Sequence, residues 1–121
     1  MVEQQLGTRL DWTTLGYSTL IKFDMDAGAW TNNTGPDSTP RAEGVMVYIP
    51  ASYSGLLIYF GGVTVYNGNG STSPAPMSTV HIYDIQSSNW YNQTAVGEVP
   101  SARRRFCAGS AWAPDKSSYN M

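Results

Sequence analysis

Side chains with reactive chemistry are few in this chain. His81 is the only histidine and Cys107 the only cysteine. A zinc-type site draws on about three or four such ligands, so this pair predicts no metal centre and no cofactor. His81 alternates with Val80 and Ile82, which reads as a strand-face histidine on the same side as Tyr83. Cys107 has no partner within the chain, so its thiol is free or pairs outside it. Serine is abundant, but nothing orders a Ser/His/Asp set, and no catalytic residue is predicted. The one basic cluster is Arg103-Arg104-Arg105. Such arginines bond to loop carbonyls and neighbouring carboxylates, or they form a contact for a peptide or glycan. The first reading is the default, because charge runs are usually solvated or paired. Asn32, Asn69 and Asn92 each begin an Asn-x-Ser/Thr triplet, the acceptor for N-linked glycan. Three such triplets are a mild excess for a chain so rich in Ser and Thr.

Composition bounds what could position these groups. The chain has 121 residues, 41% of them hydrophobic, which excludes a disordered chain. Charged residues make up 13%, about half the usual share of roughly 25%. Twelve Gly, eight Tyr and four Trp suit short strands joined by tight turns. The net charge of −2 speaks against nucleic acid as a partner, since phosphate binding needs a sustained basic face. Met1–Leu6 has no basic or apolar region of signal-peptide type. No apolar run approaches the ~20 residues of a membrane span.

The chain repeats itself. Residues 20–30 and 80–90 align at an offset of 60, matching Phe23 with Tyr83, Asp24 with Asp84 and Trp30 with Trp90. Asn32 and Asn92, then Pro40 and Pro100, keep the same offset. Arg41 to Pro50 is echoed by Arg105 to Pro114. Between these marks lie β-branched and aromatic runs: Val45–Ile49, Leu56–Phe60, Thr79–Tyr83 and Asn89–Thr94. Thr19–Phe23 and Trp30–Asn33 repeat the third and fourth of these, and Phe106–Trp112 begins the pattern again. No stretch keeps a helical period. Val65–Pro76, rich in Gly, Ser and Pro, reads as a loop between the second and third strands. The predicted order is a segment 1–16 with no repeat assignment, strands three and four over 17–40, a complete unit over 41–97, and the truncated start of another over 98–121.

Gly61-Gly62 after a β-run, Tyr83-Asp84, Trp90 and the Pro-then-Arg stretches resemble the Kelch repeat. The wording of Pro40–Gly44, Leu56–Gly62, Ile82–Asp84 and Arg105–Gly109 is similar to fungal cell-surface Kelch-repeat proteins. That resemblance implies an all-β fold of Kelch-type β-propeller blades, each a four-stranded antiparallel sheet. A propeller closes with about four to eight blades, so about two blades here form a fragment. Phe23, Asp24, Trp30, Arg41, Gly61, Gly62, Tyr83, Asp84, Trp90 and Arg105 are then its structural repeat positions. Gly61-Gly62 permits a tight turn rather than cradling phosphate, since no helix follows. Trp30 and Trp90 read as packing residues between sheets. The fold also hosts a copper radical oxidase, but its two histidine ligands cannot come from one histidine.

The function expected is a non-enzymatic scaffold that binds protein or carbohydrate, in a larger membrane-anchored or secreted protein whose remaining blades complete the propeller. Alternatives are a piece of a secreted oxidase or lyase with its catalytic residues elsewhere, and a cytoplasmic Kelch adaptor in cell polarity or ubiquitin targeting. In a blade, the connection between strands two and three and that from strand four to the next unit emerge on one side. Asn67, Asn69, Arg103 and Arg104 are therefore the candidate binding residues.

Overall fold

The computed structural model describes residues 2–6 and 11–121, with side chains from Gly16 onward. Among the described residues there are thirteen strands and no helix. In chain order these are β1 (Val2–Leu6), β2 (Asp11–Leu15), β3 (Thr19–Asp24), β4 (Ala29–Thr34), β5 (Arg41–Ala42), β6 (Val45–Ile49) and β7 (Leu56–Phe60). They continue with β8 (Val63–Tyr66), β9 (Ser71–Pro74), β10 (Thr79–Asp84), β11 (Asn89–Thr94), β12 (Ala111–Trp112) and β13 (Tyr119–Asn120). The chain divides into two compact units. One runs to Ala42 and includes Thr64–Ser73; the other comprises Glu43–Val63 and Pro74–Met121.

The second unit holds a four-stranded antiparallel sheet in the order β11-β10-β7-β6. This is the blade expected from the four runs, with Trp90 on an outermost strand. Alternation divides its faces. Val45, Val47 and Ile49 of β6 join Leu56, Ile58 and Phe60 of β7 and Val80 and Ile82 of β10 on one face. Val47, Ile49 and Ile58 are buried at its centre, and Tyr119 of β13 packs against them. Met46 and Tyr48 point the other way and are exposed.

The next repeat departs from expectation. Phe106–Trp112 is not one strand: only Ala111 and Trp112 are extended, and they pair with Asn120 and Tyr119. Two causes are local. Arg105 has φ +54, in the left-handed region, so the chain does not enter extended. Cys107-Ala108-Gly109-Ser110 then carries no β-branched or aromatic residue. Phe106 instead turns its ring towards Phe60, 6.0 Å between centroids.

In the first unit, β3 and β4 form a two-stranded sheet. Its register copies that of β10 and β11: Thr19↔Thr34 through Asp24↔Ala29 becomes Thr79↔Thr94 through Asp84↔Asn89. The turns match too. Asp24 Oδ1 accepts from the amides of Asp26 and Ala27, both at 2.9 Å, and Asp84 Oδ1 from that of Gln86 at 3.0 Å. The last turn residue is left-handed in both, Gly28 at φ +62 and Ser88 at φ +58.

The 65–76 segment is not the irregular loop its composition suggests. β8 enters it, residues 67–70 turn, and β9 returns, so that β5, β8 and β9 form a three-stranded sheet. The strand signal was alternation. Val63 and Val65 are buried at 3% and 4% exposure, while Tyr66 faces solvent, a two-residue period that the Gly/Ser content hides. The 1–16 segment holds β1 and β2, antiparallel from Val2↔Leu15 to Leu6↔Asp11; its residues 1 and 7–10 lie outside the described residues.

Candidate functional site

The hairpin β8–β9 is held by a side chain that imitates backbone. Asn67 Oδ1 accepts from the Gly16 amide at 2.9 Å, and Asn67 Nδ2 donates to the Gly16 carbonyl at 3.0 Å. The Val65 amide donates to the Pro40 carbonyl at 2.9 Å. Within the turn, the Gly70 amide donates to the Tyr66 carbonyl at 2.8 Å and Asn69 Oδ1 accepts from the Ser71 amide at 2.9 Å. Asn67 thus spends its amide on Gly16, whereas Asn69 is exposed and its Oδ1 serves the turn. Every residue of β9 is exposed.

The basic cluster lies in the other unit, where a carboxylate fixes part of it. Arg105 Nε and Nη2 both donate to Glu43 Oε1, at 2.9 and 2.7 Å. Arg104 Nη1 stands 3.6 Å from Glu43 Oε2, beyond hydrogen-bond length. That oxygen is buried and has no hydrogen-bond partner. Arg103 Nε donates only to the Ser101 carbonyl, at 3.3 Å. The carbonyl-and-carboxylate reading therefore holds for Arg103 and Arg105. Glu43 escaped the sequence reading because 62 residues separate it from Arg105 and no local pattern links them. Arg41 behaves differently. It forms a forked pair with Asp37, Nη1 to Oδ1 and Nη2 to Oδ2, both 2.7 Å. This lowers the Asp37 carboxyl to about 2, mainly through the Arg41 hydrogen bonds.

The repeat positions take part in turns and ring pairs. Gly61 and Gly62 take φ +72 and +78. A Cβ on Gly61 would meet the Phe106 ring at 2.7 Å, so the doublet serves turn and packing together. Phe23 and Trp30 are cross-strand partners with ring centroids 4.7 Å apart, and Tyr83 and Trp90 repeat this at 5.0 Å. His81 is buried, its Nδ1 2.7 Å from Asn92 Oδ1, an arrangement in which the ring nitrogen donates. Asn32 and Asn92 are exposed strand residues, and Cys107 is an exposed free thiol. Among the described residues, no three His, Cys, Asp or Glu side chains gather as a metal site. None of the described segments is a helix long and apolar enough to cross a membrane.

A Kelch repeat-containing protein of Arthroderma benhamiae is 37% identical over 98 aligned positions, covering 75% of this chain. With the four-stranded blade and the repeated Phe/Tyr–Trp register, this decides the family. The chain is a Kelch-repeat segment. It spans about 14% of the length of that relative. No family model matches the chain, and no solved structure does. The Kelch positions now have physical roles: Tyr83 and Trp90 pair across strands, Asp84 closes the turn between them, and Gly61-Gly62 lets Phe106 approach.

Proposed function

We propose that this Kelch-repeat segment is a non-enzymatic recognition scaffold in a larger cell-surface or secreted protein. The hairpin β8–β9 is the part that meets a protein or glycan ligand. One observation carries this reading: a fully exposed Ser/Thr strand and turn are mounted on a sheet and stapled by Asn67 to Gly16. Variable segments on a rigid support are the usual carriers of recognition. Tyr66, exposed at the foot of the turn, adds an aromatic face. The test is joint substitution of the exposed side chains, Tyr66→Ser with Thr72→Ala, in the longer parent protein, which keeps the β8–β9 strands. Ligand capture should fall while the melting temperature stays nearly unchanged; capture at the original level refutes the assignment of the hairpin.

The surface location rests on low charge and on the Asn69 triplet, which sits exposed in that turn. Deglycosylation of native protein should shift the mass of the Asn69 peptide. An unmodified peptide would favour a cytoplasmic Kelch adaptor.

A further inference from the structure

Residues 95–110 have no regular secondary structure, and every residue from 91 through 105 is exposed. Irregular connections this long are uncommon in compact units and usually functional. The matching stretch one repeat earlier is different, because Arg41 and Ala42 there form β5. The long connection carries three consecutive arginines, yet its backbone is tied down at that point. The Gly62 amide donates to the Arg103 carbonyl at 2.9 Å, and the Arg105 amide to the Glu43 carbonyl at 3.0 Å. Both Glu43 and Arg105 hold left-handed backbone, φ +61 and +54. Strain of this kind in non-glycine residues persists only where surrounding contacts enforce it. Here the contact is the forked Arg105–Glu43 pair.

We propose that the Arg105–Phe106 bond is a latched cleavage site for an endoprotease that recognises consecutive basic residues, with Glu43 as the latch. Arginine side chains suit such enzymes because a guanidinium matches carboxylates in a forked geometry. The substrate must also lie extended, as peptides do when they add a strand to a binding cleft. Arg104 and Arg105 have side chains 52% and 72% exposed, so the recognition groups are displayed. The left-handed turn at Arg105 withholds the extended backbone. Releasing Glu43 supplies it. The latch holds unevenly: Glu43 hydrogen-bonds Arg105 through one oxygen, while the other is buried without a hydrogen bond and meets Arg104 only as a 3.6 Å ion pair.

Hydrolysis adds water across the bond: hydroxyl to the Arg105 carbonyl carbon, hydrogen to the Phe106 nitrogen, with the C–N bond broken. The products are a carboxylate on Arg105 and an amine on Phe106. Residues 106–121 would then be joined to the blade only by non-covalent contacts, among them the Ser110 hydroxyl donating to the Tyr48 carbonyl at 2.6 Å. These residues include Phe106, which faces Phe60, and Tyr119, which covers the Val47/Ile49/Ile58 face. Cutting would uncouple the cover from the blade. Glu43 is a positioning residue here, and the proposal is independent of what the β8–β9 hairpin binds.

The purified chain is digested with a paired-basic endoprotease and, separately, with trypsin, and the fragments are read by mass spectrometry over time. The paired-basic enzyme should release 106–121 as its first product. Glu43→Gln should raise that rate about fivefold, the scale of one exposed forked ion pair. Trypsin supplies the control, because cleavage at Lys22 should not change. If that rate rises too, the variant has unfolded, and Glu43→Asp, which keeps the charge but shortens the reach, replaces it under the same comparison. A first cut elsewhere, or an Arg105 rate insensitive to both variants against the Lys22 rate, overturns the proposal.

Discussion

Tyr83 faces Trp90 across β10 and β11 with ring centroids 5.0 Å apart, and the Tyr83 side chain is fully buried at 0% exposure. Sixty residues earlier Phe23 and Trp30 hold the same register, yet Trp30 is 70% exposed. Identical repeat positions thus carry different energetic weight. Replacing a buried aromatic by alanine costs about 3–5 kcal/mol. Tyr83→Ala should therefore raise hydrogen exchange of the β10 and β11 amides by at least about a hundredfold. Trp30→Ala should change β3 and β4 exchange by less than about tenfold. Equal effects would mean that the two pairs are equally packed.

Much of the blade was legible in sequence because its strands are short runs rich in β-branched and aromatic residues, bounded by turn residues. The structure places Val45–Ile49, Leu56–Phe60 and Thr79–Tyr83 in β6, β7 and β10. The Asp24 and Asp84 turns were legible as repeats because a carboxylate that caps its own turn needs a fixed position. What failed did so for stated reasons. Composition masked the Val63/Val65 alternation that builds β8. Phe106–Trp112 looked strand-like by alignment, but a left-handed Arg105 breaks its entry. Of the candidate binding residues, Asn67 is engaged by Gly16, and the repeat position Arg105 is engaged by Glu43; both are long-range pairings that no local pattern encodes.

Asp37 should lose its contribution in acid. Its carboxyl is lowered from 3.8 to about 2, with the Arg41 hydrogen bonds as the largest cause. A depressed folded-state value means stabilisation is fully present above the unfolded value and disappears as pH falls through the folded one. The window is therefore from about pH 4 down to about pH 2. The Asp37 side chain is 40% exposed, so screening keeps the global effect small. Carboxyl-carbon NMR titration should place Asp37 well below the ordinary value of 3.8, and Arg41→Gln should return it towards that value. A titration unmoved by that substitution would remove Arg41 as the cause.

Asn67→Ala should loosen the hairpin anchor without unfolding the blade. Two hydrogen bonds to Gly16 are lost at once, each worth about 0.5–1.5 kcal/mol net. The Gly16 amide should exchange roughly tenfold faster, while β6 and β7 amides keep their protection. Asn69→Ala, which removes one exposed turn bond, should leave Gly16 unchanged. If both variants act alike on Gly16, the staple is not Asn67.

The isolated chain should self-associate through the β3–β4 sheet. Ile21 and Phe23 project on one face by strand alternation, and Trp30, opposite Phe23, shares it. All three are exposed, as are Tyr17 and Met25 beside them. The corresponding residues of the complete blade are His81 and Tyr83, both buried, and Trp90. An apolar face of this kind favours pairing with a second copy. A two-stranded face is smaller than the roughly 800 Å² per partner of a stable complex, so the association should be weak and rise with concentration. Sedimentation should show weight-average mass increasing up to about 100 µM, a standard free energy near −5.5 kcal/mol. Combining Ile21→Thr with Trp30→Ser should shift the rise to higher concentration, since both removed groups lie in the contact. A monomeric profile across the whole range for the unmodified chain would show that this face does not hold a second copy.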